Sequence, residues 1–382
     1  MPLVSKNFSD IITFTRASTG SYFDSAGVLQ SAAINTPRLD YNPSTLAAQG
    51  LLIEEQRVNS IRNNTMVGAV VGTPGTLPTN WVANVGGLNY AVVDTGTENG
   101  ITYVDLRFNG TPTSTGPQTI AADALVSTIG LTWSVSGWIK LSAGSFTNVS
   151  QTTLRVASEA SGTVFTPSST LTRYENARTL TTATSAWTLR WNYLDTVTPV
   201  DFTLRIGLPQ LELGAFATSV IPTSTVAATR SADVASVNTL SPWYNQSEGT
   251  VYAEFLAGVS VASQQAVFDI DNSSDILNNR ISWRMGNEFV VSAGSTVVNF
   301  FITPTASATS KWAFAFTTND FAFSRNGGAP STDSSGALPS GLNRMLLGNS
   351  NSAANTFLNG YLRRITYYPR RLSNDELQTI TA

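Results

Sequence analysis

The side chains of this protein that could do chemistry are oxygen acids and guanidinium bases. Histidine and cysteine are both absent. That excludes imidazole and thiolate catalysis, His-ligated zinc, disulfides and thiolate-held clusters. Two carboxylates can still hydrolyse a glycosidic bond unaided, one as acid and the other as base or nucleophile. Candidate acids are Asp105, Glu159, Glu254, Asp269, Asp271 and Asp275. No spacing among them marks a reactive pair, so no enzyme activity is expected. Asp269, Asp271 and Asp275, with Asn272 between them, gather hard oxygen ligands of the kind calcium takes. They lack EF-hand spacing, and Asn-Ser-Ser-Asp is ordinary turn sequence. The expectation is therefore no cofactor, with calcium as a secondary reading. Sugar binding combines an aromatic platform with amide and carboxylate hydrogen bonds. Trp191 and Tyr193 share one face of a strand-like run, and Trp243 and Tyr244 follow Pro242 in a linker-like stretch. These four are the candidate platforms, set against the plainer reading that large aromatics are core. Arg16, Arg38 and Arg57 accompany Glu54 and Glu55 near the N-terminus. Planar guanidinium–carboxylate pairing suits an assembly interface; the alternative is an intramolecular surface network of little energetic weight.

The elements that must position these residues are strands. Only 12% of the 382 residues are charged, about half the globular norm of roughly 25%. Ser and Thr make up about a quarter of the chain, and lysine occurs only at Lys6, Lys140 and Lys311. Thr fits a pleated surface and Ser fits turns. With a net charge of −3, no basic field points to nucleic acid and no charge run to a membrane surface. No run of apolar residues is long enough to span a bilayer, and the first residues lack the pattern of a signal peptide. Alternating runs at 101–108, 131–139, 187–193 and 202–206 predict a sandwich or jelly roll, and a second series begins at Gly249. Ser373-Asn374-Asp375-Glu376 predicts a capping box at the start of a short C-terminal helix.

The predicted fold is all-β, with two antiparallel β-sandwich (jelly-roll) domains preceded by an irregular N-terminal docking module. Residues 1–65 have too little apolar sequence for their own core and are read as that docking or oligomerisation module. A jelly roll follows over 66–222, a linker over 223–248, and a second sandwich over 249–382.

Within 249–382, Trp312-Ala313-Phe314-Ala315-Phe316 precedes a hairpin segment ending in Asn326-Gly327. Leu346-Leu347-Gly348 follows, then Gly360 to Tyr368, then Leu372-Ser373-Asn374-Asp375-Glu376-Leu377. In that order these elements resemble the laminin-G/concanavalin-A-like family. Three earlier segments resemble tailed-bacteriophage virion proteins of the fibre and capsid-decoration type. They are Phe14-Thr15-Arg16-Ala17-Ser18-Thr19 running into Tyr22, Asp24 and Gly27, the stretch from Pro37-Arg38-Leu39-Asp40-Tyr41 to Gly50-Leu51-Leu52-Ile53-Glu54-Glu55-Gln56-Arg57-Val58-Asn59, and 207–223. In such proteins the third segment closes a jelly roll similar to carbohydrate-binding modules. The resemblance implies a component of the outer surface of a phage particle, in a tail or head fibre. Its partners would be other virion proteins, further copies of itself (a trimer being one such assembly) and surface glycans. The implied function is adhesion without catalysis. The alternatives are a purely architectural decoration protein and, third, a carboxylate-only depolymerase. Nucleic acid and membrane insertion are not implied.

Overall fold

The computed structural model describes residues 7–157, 159, 161–258, 265–274, 278–285, 288–300, 308–350 and 356–382. Nearly all regular structure in them is antiparallel β-sheet, arranged in two compact units. The helices among them are Phe8–Ile11 and Asn374–Thr381, and neither is long and apolar enough to cross a membrane.

One unit comprises Val28–Gln30 and Arg57–Arg230. Five strands form its first sheet, in the order Thr163–Phe165, Val149–Val156, Thr184–Tyr193, Gln118–Val126 and Trp81–Asn84. The second sheet runs Thr172–Thr179, Thr132–Ser145, Val200–Leu213, Ile101–Gly110 and Asn89–Glu98. Period-two alternation sorts each strand into an inner and an outer face. Val104, Leu106, Phe108, Phe202, Leu204 and Ile206 turn inward from the second sheet to meet Ile120, Leu154, Trp187 and Leu189 from the first. The intervening residues, including Asp105, Arg107, Thr203 and Arg205, face outward. This is the β-sandwich that the sequence predicts.

The other unit comprises the described residues up to Gly27 together with Ser31–Gln56 and Ser231–Ala382. Two seven-stranded sheets enclose its core. At the centre Trp283 and Trp312 stack with ring centroids 4.0 Å apart, and Phe255 meets both rings edge-on. Asn326 and Gly327 both adopt positive φ, 46° and 73°, forming the tight turn their types favour. The Ser373 hydroxyl accepts from the Glu376 backbone N–H at 3.2 Å, and the Glu376 carboxylate accepts from the Ser373 N–H at 2.7 Å. The helix thus begins with the predicted box, and it buries Leu377 with Tyr252, Ala313 and Ala315 on the outside of one sheet.

The division of the chain differs from the sequence expectation. Residues 7–27 and 31–56 are no separate docking module. Thr13–Thr15 pairs with Val234–Val237, and Ala48–Ile53 pairs with Gly360–Tyr368. Phe14, Leu51 and Ile53 are therefore core residues of the C-terminal sandwich. The segment read as a linker, 223–248, is also structured. Ala228–Arg230 pairs with Arg57–Asn59, and Val234–Val237 lies inside a seven-stranded sheet. The physical reason is that a segment without a core of its own can still supply strands to one formed by distant sequence.

Candidate binding site

The structure places most of the sequence candidates away from solvent. Trp191 and Tyr193 are 1% and 3% exposed, and Trp191 Nε1 donates to the Tyr193 hydroxyl at 3.0 Å. Their face is the inner one, so they are core and cannot stack on a sugar. Trp243 and Tyr244 are half-buried. Both pack their rings on Tyr367, at centroid distances of 5.2 and 5.3 Å, and burial followed by the nearby Tyr367 raises the Tyr244 hydroxyl. They are not an exposed platform.

The charges expected at an assembly interface are instead spent inside the chain. Arg16 and Arg38 are buried and converge on Asp233, which sequence reasoning missed. Arg16 Nη1 donates to Asp233 Oδ1 at 3.0 Å, while Arg38 Nη2 donates to Asp233 Oδ2 and lies 2.9 Å from the Glu54 carboxylate. Burial works against the Arg38 charge, but Glu54 and Asp233 outweigh it and raise its pKa. Glu55 exchanges hydrogen bonds with Asn359. In the other unit Arg57 donates to the Leu213 carbonyl and lies over the Phe216 ring at 4.4 Å. Gly214 makes room for it, since a Cβ there would fall 1.5 Å from the guanidinium.

Two of the three calcium candidates have partners within the chain. Asp269 accepts from the Ser350 hydroxyl, and Asp271 holds Arg344 through two bonds of 3.0 and 2.7 Å. Asp275 lies outside the described residues. No group of three or more acids able to hold a metal ion occurs among the described residues.

An accessible constellation does occur on the outer face of the second jelly-roll sheet. Antiparallel register aligns its residues in rows across four strands. One row reads Lys140, Arg205, Asp105, Asp94; the next reads Ala143, Thr203, Arg107, Ala91; the next reads Ser145, Asp201, Asn109, Asn89. The first row is closed on itself. Arg205 holds Asp105 through two bonds of 2.8 and 2.7 Å and Glu98 at 2.7 Å, with its guanidinium 3.4 Å above the Tyr103 ring. Burial alone would raise the Glu98 carboxyl, but hydrogen bonds from Lys140 and Arg205 hold it below the ordinary range. Tyr103 donates to Asp94 at 2.8 Å, and its pKa is raised by burial and then by that bond.

The other two rows are open. Val93, Arg107, Ala143, Gly144, Ser145, Asp201 and Thr203 line a hollow of about 490 Å³. Arg107 grips Asp201 through two bonds of 2.8 and 2.6 Å, and both side chains are about half exposed. The hydrogen bonds from Arg107 keep the Asp201 carboxyl below its usual value, so the pair stays ionised over the neutral range. A planar guanidinium, a carboxylate and two hydroxyls on a rigid sheet can exchange hydrogen bonds with vicinal hydroxyls, and Val93 adds an apolar edge. Glu159, the other candidate acid of the jelly roll, is saturated by the backbone and hydroxyl groups of Thr181 and Thr182.

No protein-family model matches the sequence, and no curated protein matches it. Among solved structures, the CBM40 module of a Ruminococcus gnavus IT-sialidase is 14% identical, with a TM-score of 0.28 over 36% of this chain and 84% of that one. The N-terminal CBM22-1–CBM22-2 tandem of Paenibacillus barcinonensis Xyn10C is 10% identical, with a TM-score of 0.24 over 79% of this chain and 99% of that one. Neither superposition is close enough to bear on what the open rows bind.

Proposed function

We propose that the protein is a non-catalytic glycan-binding component of the outer surface of a tailed-phage particle, with its sugar site in the Arg107–Asp201 hollow. The observation that carries the binding reading is that hollow. Its half-exposed bidentate pair is flanked by the hydroxyl-bearing Ser145 and Thr203 and an apolar Val93 on the outer sheet face. Binding without chemistry is supported by the commitment of Asp105, Glu159, Asp269 and Asp271 to intramolecular donors. The virion setting rests on the three sequence segments named above. Weak single-site affinity for sugars favours a homo-oligomer, such as a trimer, because linked sites multiply avidity.

A glycan array probed with the full chain tests the reading. Arg107→Ala and Asp201→Ala should each weaken retention tenfold or more, since each removes a charged hydrogen-bonding partner. Silence of the wild-type chain on host and environmental glycans, or variants that bind like wild type, would overturn it. A purely architectural role is favoured by a different observation. The turn from Val126 to Leu131 exposes Val126 and Ile129 by 96% and 62%, which suits contact with another virion protein.

A further inference from the structure

We propose that the outward face of the first jelly-roll sheet carries an oxyanion site built on Arg155 and Arg190, which takes the carboxylate or sulfate groups of an acidic polysaccharide. The polymer part of this assignment rests on the glycan-binding reading; the anion part does not.

Register places the two arginines together. In the pairing of Val149–Val156 with Thr184–Tyr193, Arg155 opposes Thr188 and Thr153 opposes Arg190. Leu154, Val156, Leu189 and Trp191 point into the core, so Thr153, Arg155, Thr188 and Arg190 share the outer face. The two arginines are diagonal neighbours, a separation that long side chains bridge. Arg155 Nε donates to the Thr153 hydroxyl at 3.0 Å, and its Nη1 donates to the Glu159 carbonyl at 3.1 Å. Arg190 Nε is buried and meets no acceptor.

Electrostatics gives the arrangement its meaning. The Arg155 guanidinium is held below its ordinary value, first by burial and then by repulsion from Arg190. Half-buried like charges side by side are costly, and an oxyanion between them would turn that repulsion into attraction from both sides. The carboxylate of Glu159 does not fill this role, because Thr181 and Thr182 supply it with four donors. Val164, opposite Thr153 on the edge strand and 58% exposed, offers an apolar ledge for the ring that bears the anion. Guanidinium is the side chain best matched to planar oxyanions.

The test uses the full chain in native affinity gels containing polygalacturonate or the same polymer after methyl esterification. Wild type should be retarded by the acidic polymer alone, less so as salt rises. Arg155→Gln/Arg190→Gln should bind it at least tenfold more weakly while keeping its retention on neutral glycans. Arg190→Gln alone should melt at a higher temperature than wild type without ligand, because it removes repulsion rather than support. Equal retardation of wild type and double variant, loss of both kinds of binding, or a lower melting temperature for Arg190→Gln would each overturn the proposal. If inorganic phosphate or sulfate raises the wild-type melting temperature but not that of the double variant, while polygalacturonate leaves migration unchanged, the polysaccharide is refuted as the ligand.

Discussion

Replacing Asp233 by alanine should bring the C-terminal sandwich close to unfolding. Asp233 is fully buried and stands between two buried guanidiniums. Its Oδ1 accepts from Arg16; its Oδ2 accepts from Arg38 and from the Glu54 backbone N–H at 3.0 Å. Arg16 and Arg38 balance Asp233 and Glu54, two charges of each sign. Alanine leaves two buried cations facing one carboxylate. Removing one partner of a buried ion pair costs about 3–5 kcal/mol, and an orphaned buried N–H adds about 1–3 kcal/mol. The sum, roughly 4–8 kcal/mol, is comparable to a typical domain stability of about 5–15 kcal/mol. Asp233→Asn keeps the shape and one acceptor, so it should lose less. Urea denaturation followed by tryptophan fluorescence measures the effect, with the jelly-roll unit as an internal reference. A loss below about 1 kcal/mol for Asp233→Ala would refute the claim that this network is buried and coupled.

Deleting residues 1–56 should leave the C-terminal sandwich unfolded rather than merely detached, because Phe14, Leu51 and Ile53 are in its core. Each such side chain contributes about 1.5–3 kcal/mol, and circular dichroism of the truncated chain decides the matter. Asp40 accepts from the Phe23 and Tyr41 N–H groups at 2.5 and 3.0 Å and from the Tyr361 hydroxyl at 3.0 Å. Burial raises its carboxyl above the ordinary 3.8 despite these bonds. Its stabilising contribution is therefore full below that value and is lost as pH rises through the raised one. Asp40→Asn should remove this slope and make the chain at least as stable as wild type at neutral pH, as read from urea midpoints across pH 4 to 8. Ser373→Ala removes the hydroxyl that caps the last helix and should cost about 1 kcal/mol, measured by the same denaturation.

Local pattern made the strands legible. In the run from Ile101 to Phe108 the inward Val104, Leu106 and Phe108 alternate with Tyr103, Asp105 and Arg107, and that rhythm survives any tertiary context. The short helix was equally clear, since its capping box spans only four residues. The domain boundaries were not legible, because strand pairing is set by partners far along the chain. Ile53 lies opposite Gly360, more than 300 residues away, and nothing in residues 48–53 alone encodes that neighbour. The same distance hid Asp233, whose guanidinium partners lie 217 and 195 residues earlier. The parity of Trp191 and Tyr193 was readable, but not which face was inner.

Scarce charge explains which sites emerged. With one residue in eight charged, most of the charged groups at the sites described above fall into two physical situations. Arg16, Arg38, Glu54 and Asp233 are buried and mutually neutralised, so they hold strands together. Arg205, Glu98, Asp105 and Lys140 are largely buried on the outer sheet face and saturated by one another. Arg107 with Asp201, and Arg155 beside Arg190, fit neither situation: one pair is open to solvent, and the other sets like charges together. For Arg107, Asp201, Arg155 and Arg190, which lie on the outer faces of the two jelly-roll sheets, the role we propose is recognition of a polar, hydroxyl-rich ligand.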